Sequence, residues 1–415
     1  MNRRNWIRVH NHIREIISKM RQPAGGIFKY PWIKCCPGGI YGDACFLWDI
    51  FHVCIRLATE GDTCAAKHMA KNFLMFAGND GYIPRSVHPL RGLSDNTFNT
   101  QPFVAQLAYL GFVLGKDKKE LAEYWDVLEK YIEYEERWMG TTLGVFRFKA
   151  DGGIDNNPAC MFLPTYAVAS VNATAYMVME YRAMAYMAKF LHKRAQAQYY
   201  KNRALETIKD FNRVFWHAKD QTYYNWNLLA SGKKEADFGI PSLVDGPHIR
   251  VPSWTNLVGL YARIVPEKRA KIQIKKWLLN PDEHWSPWGV RSLSKRSPYY
   301  NNAVLGNPMR AYPVEQATIS NWQGPVWILS NYQMFHALLN YGFYKEAEEL
   351  ADKTINLLAR SLSEEKTFYE NYDAETGKGL FAADFGSWNV LADIMHHELD
   401  NGWILEKLVG NGPQL

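Results

Sequence analysis

Apolar residues recur along this chain at the three- and four-residue spacing of amphipathic helices, in segments that come in twos. A short polar or glycine-containing turn joins the members of each pair. The spacing predicts pairs at 44–60 with 62–77, 100–115 with 117–138, 171–192 with 194–216, 250–264 with 266–278, and 325–341 with 343–361. A last helix near 383–397 pairs with one at 4–20. The first member of a pair is apolar and aromatic nearly all round, as from Val104 to Leu114 and from Val326 to Leu339. The second alternates charge with apolar residues, as from Lys118 to Trp125. A helix apolar on every side is buried, and one with a polar face meets water. Six inner and six outer helices make an all-α ring, an (α/α)6 barrel.

The intervening segments 78–99, 139–170, 217–249 and 279–324 are long and hold most of the Gly, Pro and Asn. Loops of that length in a compact fold usually carry function. In such a ring the connections that enter the inner helices gather at one end, so these loops are expected to line one cavity. No linker or composition break interrupts the pattern, and residues 1–415 are expected to form a single domain.

Composition narrows the function. Apolar residues make up 47% and charged residues 22%, and no stretch approaches the roughly 18 apolar residues of a membrane span. The segment Ile7 to Met20 mixes His, Arg, Glu and Lys with apolar residues and lacks a signal-peptide core. A soluble, cytoplasmic protein with no membrane partner is expected. The net charge of +6 is spread over helix faces, which argues against nucleic acid as a partner. Cys35, Cys36, Cys45, Cys54, Cys64 and Cys160 form no C-x-x-C pair, so neither disulfides nor a metal site is expected, and no cofactor. Self-association is left open. The 15 Trp, 24 Tyr and 20 Phe often sit in loops, where aromatic faces suit the C–H faces of sugar rings.

Cleaving a glycosidic bond with inversion needs two carboxyl groups on opposite sides of the sugar, one protonated and one ionised. Three acids sit in aromatic or glycine-containing loops: Asp49 in Phe46-Leu47-Trp48-Asp49, Asp155 in Gly153-Ile154-Asp155-Asn156-Asn157-Pro158, and Glu370 in Phe368-Tyr369-Glu370-Asn371-Tyr372. On pattern alone Asp155 also reads as a turn residue, Glu370 as a solvated loop acid, and Asp49 as a helix cap.

These segments carry a resemblance. Pro37-Gly38-Gly39-Ile40-Tyr41-Gly42-Asp43 through Trp48-Asp49 resembles the P-G-G-R-F-x-E-x-Y-x-W-D signature of trehalases. It resembles still more the W-L-W-D-S-x-F segment of the mannosylglycerate and glucosylglycerate hydrolases of glycoside hydrolase family 63. Asn99-Thr100-Gln101-Pro102 is similar to that family's T-Q-P-P, Gly153 to Pro158 to its G-M-D-N-S-P, and Trp322-Gln323-Gly324-Pro325-Val326-Trp327 to its W-R-G-P-x-W. Glu370 to Gly377 with Phe385-Gly386-Ser387-Trp388 resembles its E-Y-(F/Y)-x-P-x-T-G and F-S-W. Five motifs stand in the family's order across residues 37 to 388.

The resemblance implies an inverting, exo-acting α-glycosidase for a small α-glucoside or α-mannoside, with Asp155 as general acid and Glu370 as general base. It implies that Trp48, Asp49, Gln101, Trp322, Gly324 and Trp327 build the sugar pocket; the same motifs offer Tyr41, Phe46, Gly153, Asn156, Gln323 and Tyr372. On this reading Asp155 sits in a dry pocket that keeps its proton while Glu370 stays ionised, with a carboxyl separation of roughly 6.5–9.5 Å. Gln323 stands where the family has Arg, which removes a forked cation and favours a neutral substrate. Arg182, or Arg291 and Arg296 with Tyr299 and Tyr300, are candidates for holding a glycerate carboxylate. The rival readings are a trehalase-like α-glucosidase, a sugar epimerase using His88 and His248 as proton shuttles, and a binding module without catalysis.

Overall fold

A computed structural model describes residues 2–90, 92–94, 101–148, 153–161, 163–230, 244–245, 247–304 and 320–410. Asn99, Thr100 and parts of the four long loops lie outside the described residues. The helices are α1 (Arg3–Met20), α2 (Leu47–Thr59), α3 (Thr63–Met75), α4 (Val104–Ala108), α5 (Lys118–Trp138), α6 (Val171–Phe190) and α7 (Arg194–Val214). They continue with α8 (Val258–Tyr261), α9 (Glu267–Gln273), α10 (Ile328–Asn340), α11 (Tyr344–Glu364), α12 (Met395–Asn401) and α13 (Glu406–Val409).

The buried faces sort them into two rings. Helices α2, α6 and α10 are buried along almost their whole length, whereas α5, α7 and α11 bury one stripe each. The inner ring runs α2, α4, α6, α8, α10 and a 3-10 helix over Ser387–Ile394 that continues into α12; each packs on the next, and the last packs on α2. The chain thus forms the (α/α)6 barrel. Three inner members are less regular than the periodicity suggests. Helix α4 widens into a π-helix at Tyr109–Val113, the fourth member is a 3-10 turn at Trp254–Leu257 followed by the single turn of α8, and the sixth opens as 3-10.

A buried charge closes the ring. Arg56 of α2 meets Asp393 of the last inner helix through two hydrogen bonds, Nε to Oδ1 at 2.6 Å and Nη2 to Oδ2 at 2.8 Å. His10 of α1 adds a contact to the same carboxylate at 2.8 Å. Elsewhere the Glu180 carboxylate of α6 accepts from the Ala105 and Gln106 backbone N–H groups at 2.8 and 2.9 Å, which satisfies donors left open at the start of α4. The loops carry short antiparallel strands, such as Cys45–Phe46 with Ser86–His88. None of the described helices is long and apolar enough to cross a membrane.

Candidate active site

The strand Cys45–Phe46 runs straight into α2, which puts Trp48 and Asp49 in the first turn of an inner helix. The Leu47 N–H donates to the Arg85 carbonyl at 3.0 Å, drawing the 78–99 loop alongside. The Ser387 hydroxyl, at the start of the last inner helix, donates to Asp49 Oδ1 at 2.6 Å. Glu370 precedes a strand, Asn371–Tyr372, whose Tyr372 exchanges backbone hydrogen bonds with Val326 just before α10. The Asp155 turn is tied to the Trp322-Gln323 loop: Asn156 Oδ1 accepts from the Trp322 N–H at 2.7 Å, and Gln323 Nε2 donates to the Asn156 carbonyl at 2.9 Å. Loops far apart in sequence therefore meet where the inner helices begin.

They enclose a cavity of about 350 Å³ lined by Tyr41, Phe46, Trp48, Asp49, Gly153, Asp155, Trp322 and Glu370. Ile40, Arg85, Ser320, Phe385 and Trp388 complete the wall, and the motif reading assigns none of these five to the pocket. Phe385 and Trp388 lie inside a quoted motif. Arg85 and Ser320 carry no such signal, because an Arg after Pro or a Ser in a polar loop reads as solvated.

The other six pocket candidates stand behind the wall. Trp327 stacks on Trp322 at 3.6 Å between ring centroids, and its indole N–H donates to the Asn321 carbonyl. Gln101 accepts from Asn172, Asn156 and Gln323 bond each other, the Gly324 N–H donates to Ser292, and the Tyr372 hydroxyl accepts from the Tyr369 N–H. Gln323 thus serves as a loop-to-loop tie and does not itself line the cavity. Arg85 supplies the cation among the described lining residues.

The cavity holds three acids in distinct settings. Glu370 is 4% exposed; its carboxylate accepts from the Tyr41 hydroxyl at 3.1 Å and from the Ser320 hydroxyl, which lies 3.1 Å from each oxygen. Burial, and then the charge of Asp155, push Glu370 well above the ordinary carboxylate range, while the two hydroxyls pull it back. Asp155 is half-buried. The expected asymmetry is therefore reversed in one respect: the dry carboxyl is Glu370. Burial pushes Asp49 up to about 7, opposed by the Ser387 hydroxyl and the Arg85 charge.

Tryptophans form one side. Trp48 lies parallel to Trp322 at 6.0 Å, and Trp388 tilts against Trp48 at 5.6 Å. The indole N–H groups of Trp48, Trp322 and Trp388 have no hydrogen-bond partner among the described residues. Gly153 has φ +92°, and a Cβ there would lie 3.2 Å from the Trp48 ring, so both its backbone and its missing side chain serve the wall.

The other candidates go elsewhere. His88 sets its ring edge against Phe46, and His248 bonds the Val214 carbonyl; neither lines the cavity. Arg291 is buried in an ion pair with Glu375 at 2.8 Å, which also accepts from the Tyr300 hydroxyl at 2.7 Å; Arg296 pairs with Asp282 on the surface. Tyr299 packs on a small apolar cluster around Leu293. Arg182 is neither solvated nor near the carboxyl pair, because α6 carries it toward the other end of the barrel.

The sequence model of the mannosylglycerate hydrolase MGH1-like glycoside hydrolase domain matches residues 44–388. The chain belongs to this family. Among curated relatives of this glycoside hydrolase family 63 domain, mannosylglycerate hydrolase of Rubrobacter radiotolerans is 26% identical over 219 residues, covering 52% of this chain and 40% of that protein. Mannosyl-oligosaccharide glucosidase of Saccharomyces cerevisiae is 22% identical over 281 residues, covering 64% of this chain and 30% of its own length. The chain thus spans less than half of either relative. The crystal structure of family 63 mannosylglycerate hydrolase from Thermus thermophilus with glucose shares the fold at a TM-score of 0.71 and 16% identity, covering 94% of this chain and all of that one.

Proposed function

We propose that this family 63 domain is an inverting, exo-acting α-glycosidase that hydrolyses a small α-glucoside or α-mannoside. The observation that carries the reading is the meeting of Asp155 and Glu370 in one tryptophan-walled cavity. Asp155, at the more open position, donates its proton to the glycosidic oxygen as the bond to the anomeric carbon breaks. Glu370 takes a proton from a water that attacks that carbon from the opposite face, giving the free sugar and the alcohol. The Tyr41 and Ser320 hydroxyls favour the ionised form of Glu370 against its burial, which supports the base role. Burial and the charge of Glu370 hold Tyr41 itself far above its ordinary range, so it remains a donor.

Asp49 supplies an acceptor for sugar hydroxyls, and the tryptophan faces suit the ring's C–H groups. A volume near the lower bound for small-ligand sites supports a small glycoside. The absence of histidine from the described wall disfavours the two-histidine epimerase. The closed helical ring supports one catalytic unit over residues 1–415, and the free cysteines support a reducing, cytoplasmic location. A panel of α-linked disaccharides and glycosyl-glycerates tests the reading: release of one hexose from at least one of them, lost in Glu370→Gln, is expected. Turnover undiminished in that variant would refute the base role.

A further inference from the structure

The cavity at the opposite end of the barrel has the reverse charge. The catalytic loops meet at the starts of the inner helices, and Arg182 lies eleven residues past Val171, the first of α6, or roughly 16 Å along it at helical rise. There α6 and the outer helix α7 flank a half-open groove of about 640 Å³. Helix α6 presents Arg182, Tyr186 and Lys189, and α7 presents Arg194 and Lys201 at matching one- and two-turn spacing. His192 stands in the turn between them, Ala185 and Ala197 leave the space open, and no Asp or Glu is among the described lining residues.

Arg182 makes this more than a basic surface. It is 2% exposed, and its Nη1 donates to the carbonyls of Ala262 and Leu408 at 2.7 and 3.1 Å. Its Nε and Nη2 have no partner among the described residues and no surface open to the groove, so an anion there acts on them through space and not by direct contact. The ionised neighbour acting on it near neutrality is another guanidinium, Arg263. A buried charge is costly unless paired, and Arg56 in the same barrel shows the usual solution, a carboxylate on both arms. Helix α7 begins with no side-chain cap and no acid in its first turn, so its positive end adds to the same field.

We propose that this cavity is a second binding site, for an organic phosphate whose anionic group lies among Lys189, Arg194 and Lys201 and supplies the countercharge of Arg182. The uncharged part of the ligand rests against Ala185, Tyr186 and Ala197. This inference does not depend on the glycosidase reading, since binding is measured without turnover.

The test is calorimetric titration of the full chain with phenyl phosphate and with inorganic phosphate at low ionic strength. Phenyl phosphate is expected to bind one site, about tenfold tighter than inorganic phosphate through burial of its ring. The exposed triple variant Lys189→Ala/Arg194→Ala/Lys201→Ala is expected to weaken binding at least about tenfold while hydrolysis is unchanged. Absence of saturable binding, or unchanged binding in the triple variant, would overturn the site. Equal affinity for the two phosphates would overturn the organic ligand. Displacement of phenyl phosphate by a glycoside substrate would assign the binding to the other cavity and overturn the proposal.

Discussion

The two ends of this barrel gather charge of opposite sign. At the loop end Asp49, Asp155 and Glu370 share a cavity with a single cation, Arg85, among its described walls. At the far end Arg182, Lys189, Arg194 and Lys201 share one with no described carboxylate. Between them Arg56 and Asp393 are fully paired where the ring closes. A paired buried charge is costly to break, whereas an unpaired one is a candidate for a reaction or a ligand. The loop end couples its acids to hydroxyl donors on loops, so their protonation is adjustable. The far end builds its charge on two rigid helices, which suits binding more than chemistry.

The largest effect expected is at Asp155. Asp155→Asn removes the proposed proton donor and is expected to lower kcat by about 10²- to 10⁴-fold, with sugar binding retained in a calorimetric titration. Breaking the paired charge affects the fold instead: Asp393→Ala leaves buried Arg56 with Glu60, 2.7 Å from its Nη1, as the remaining carboxylate, and is expected to cost about 3 kcal/mol in urea unfolding. A small change of either kind would erase the distinction between poised and paired charge. Gly153→Ala forces a side chain toward Trp48 at positive φ and is expected to cost about 1 kcal/mol or more, with a raised KM if Trp48 shifts.

Two finer measurements follow from Glu370. Its pKa is raised, so the proposed base must lose its proton at a higher pH than an ordinary carboxyl, and the acid limb of the kcat/KM profile is expected above about 4.5. Tyr41→Phe removes a donor to the ionised form and is expected to move that limb further up; a downward move would contradict the assigned hydrogen bond. The same shift has a stability consequence. Because the folded state favours protonated Glu370, its penalty appears as pH rises past the unfolded carboxyl's pKa. Glu370→Gln is therefore expected to melt higher than the wild type at pH 7, with the gain shrinking as pH falls below about 4.5.

The helix pairs were legible because burial on all sides and burial on one side leave different patterns, as Val326 to Leu339 and Lys118 to Trp125 do. The breaks inside the ring were not, since the 3-10 turn at Trp254–Leu257 is as apolar as a helix. At the site, Asp155 and Glu370 were visible through their glycine and aromatic neighbours, and the structure brings them into one cavity. Which residues face that cavity and which brace it was not visible, because Trp327 and Gln323 touch the loop from behind with the same side-chain types that line it. Arg182 was misplaced for a geometric reason: a charge on an inner helix faces whichever end its distance from the helix start dictates, and eleven residues carry it away from the loops.

Proton NMR of the sugar at first turnover, on whichever α-glycoside the panel identifies, tests the central claim most directly. A water activated by Glu370 on the face opposite Asp155 predicts the β-anomer first, with the α-anomer growing in only by mutarotation. The α-anomer as first product would contradict the roles assigned to the pair.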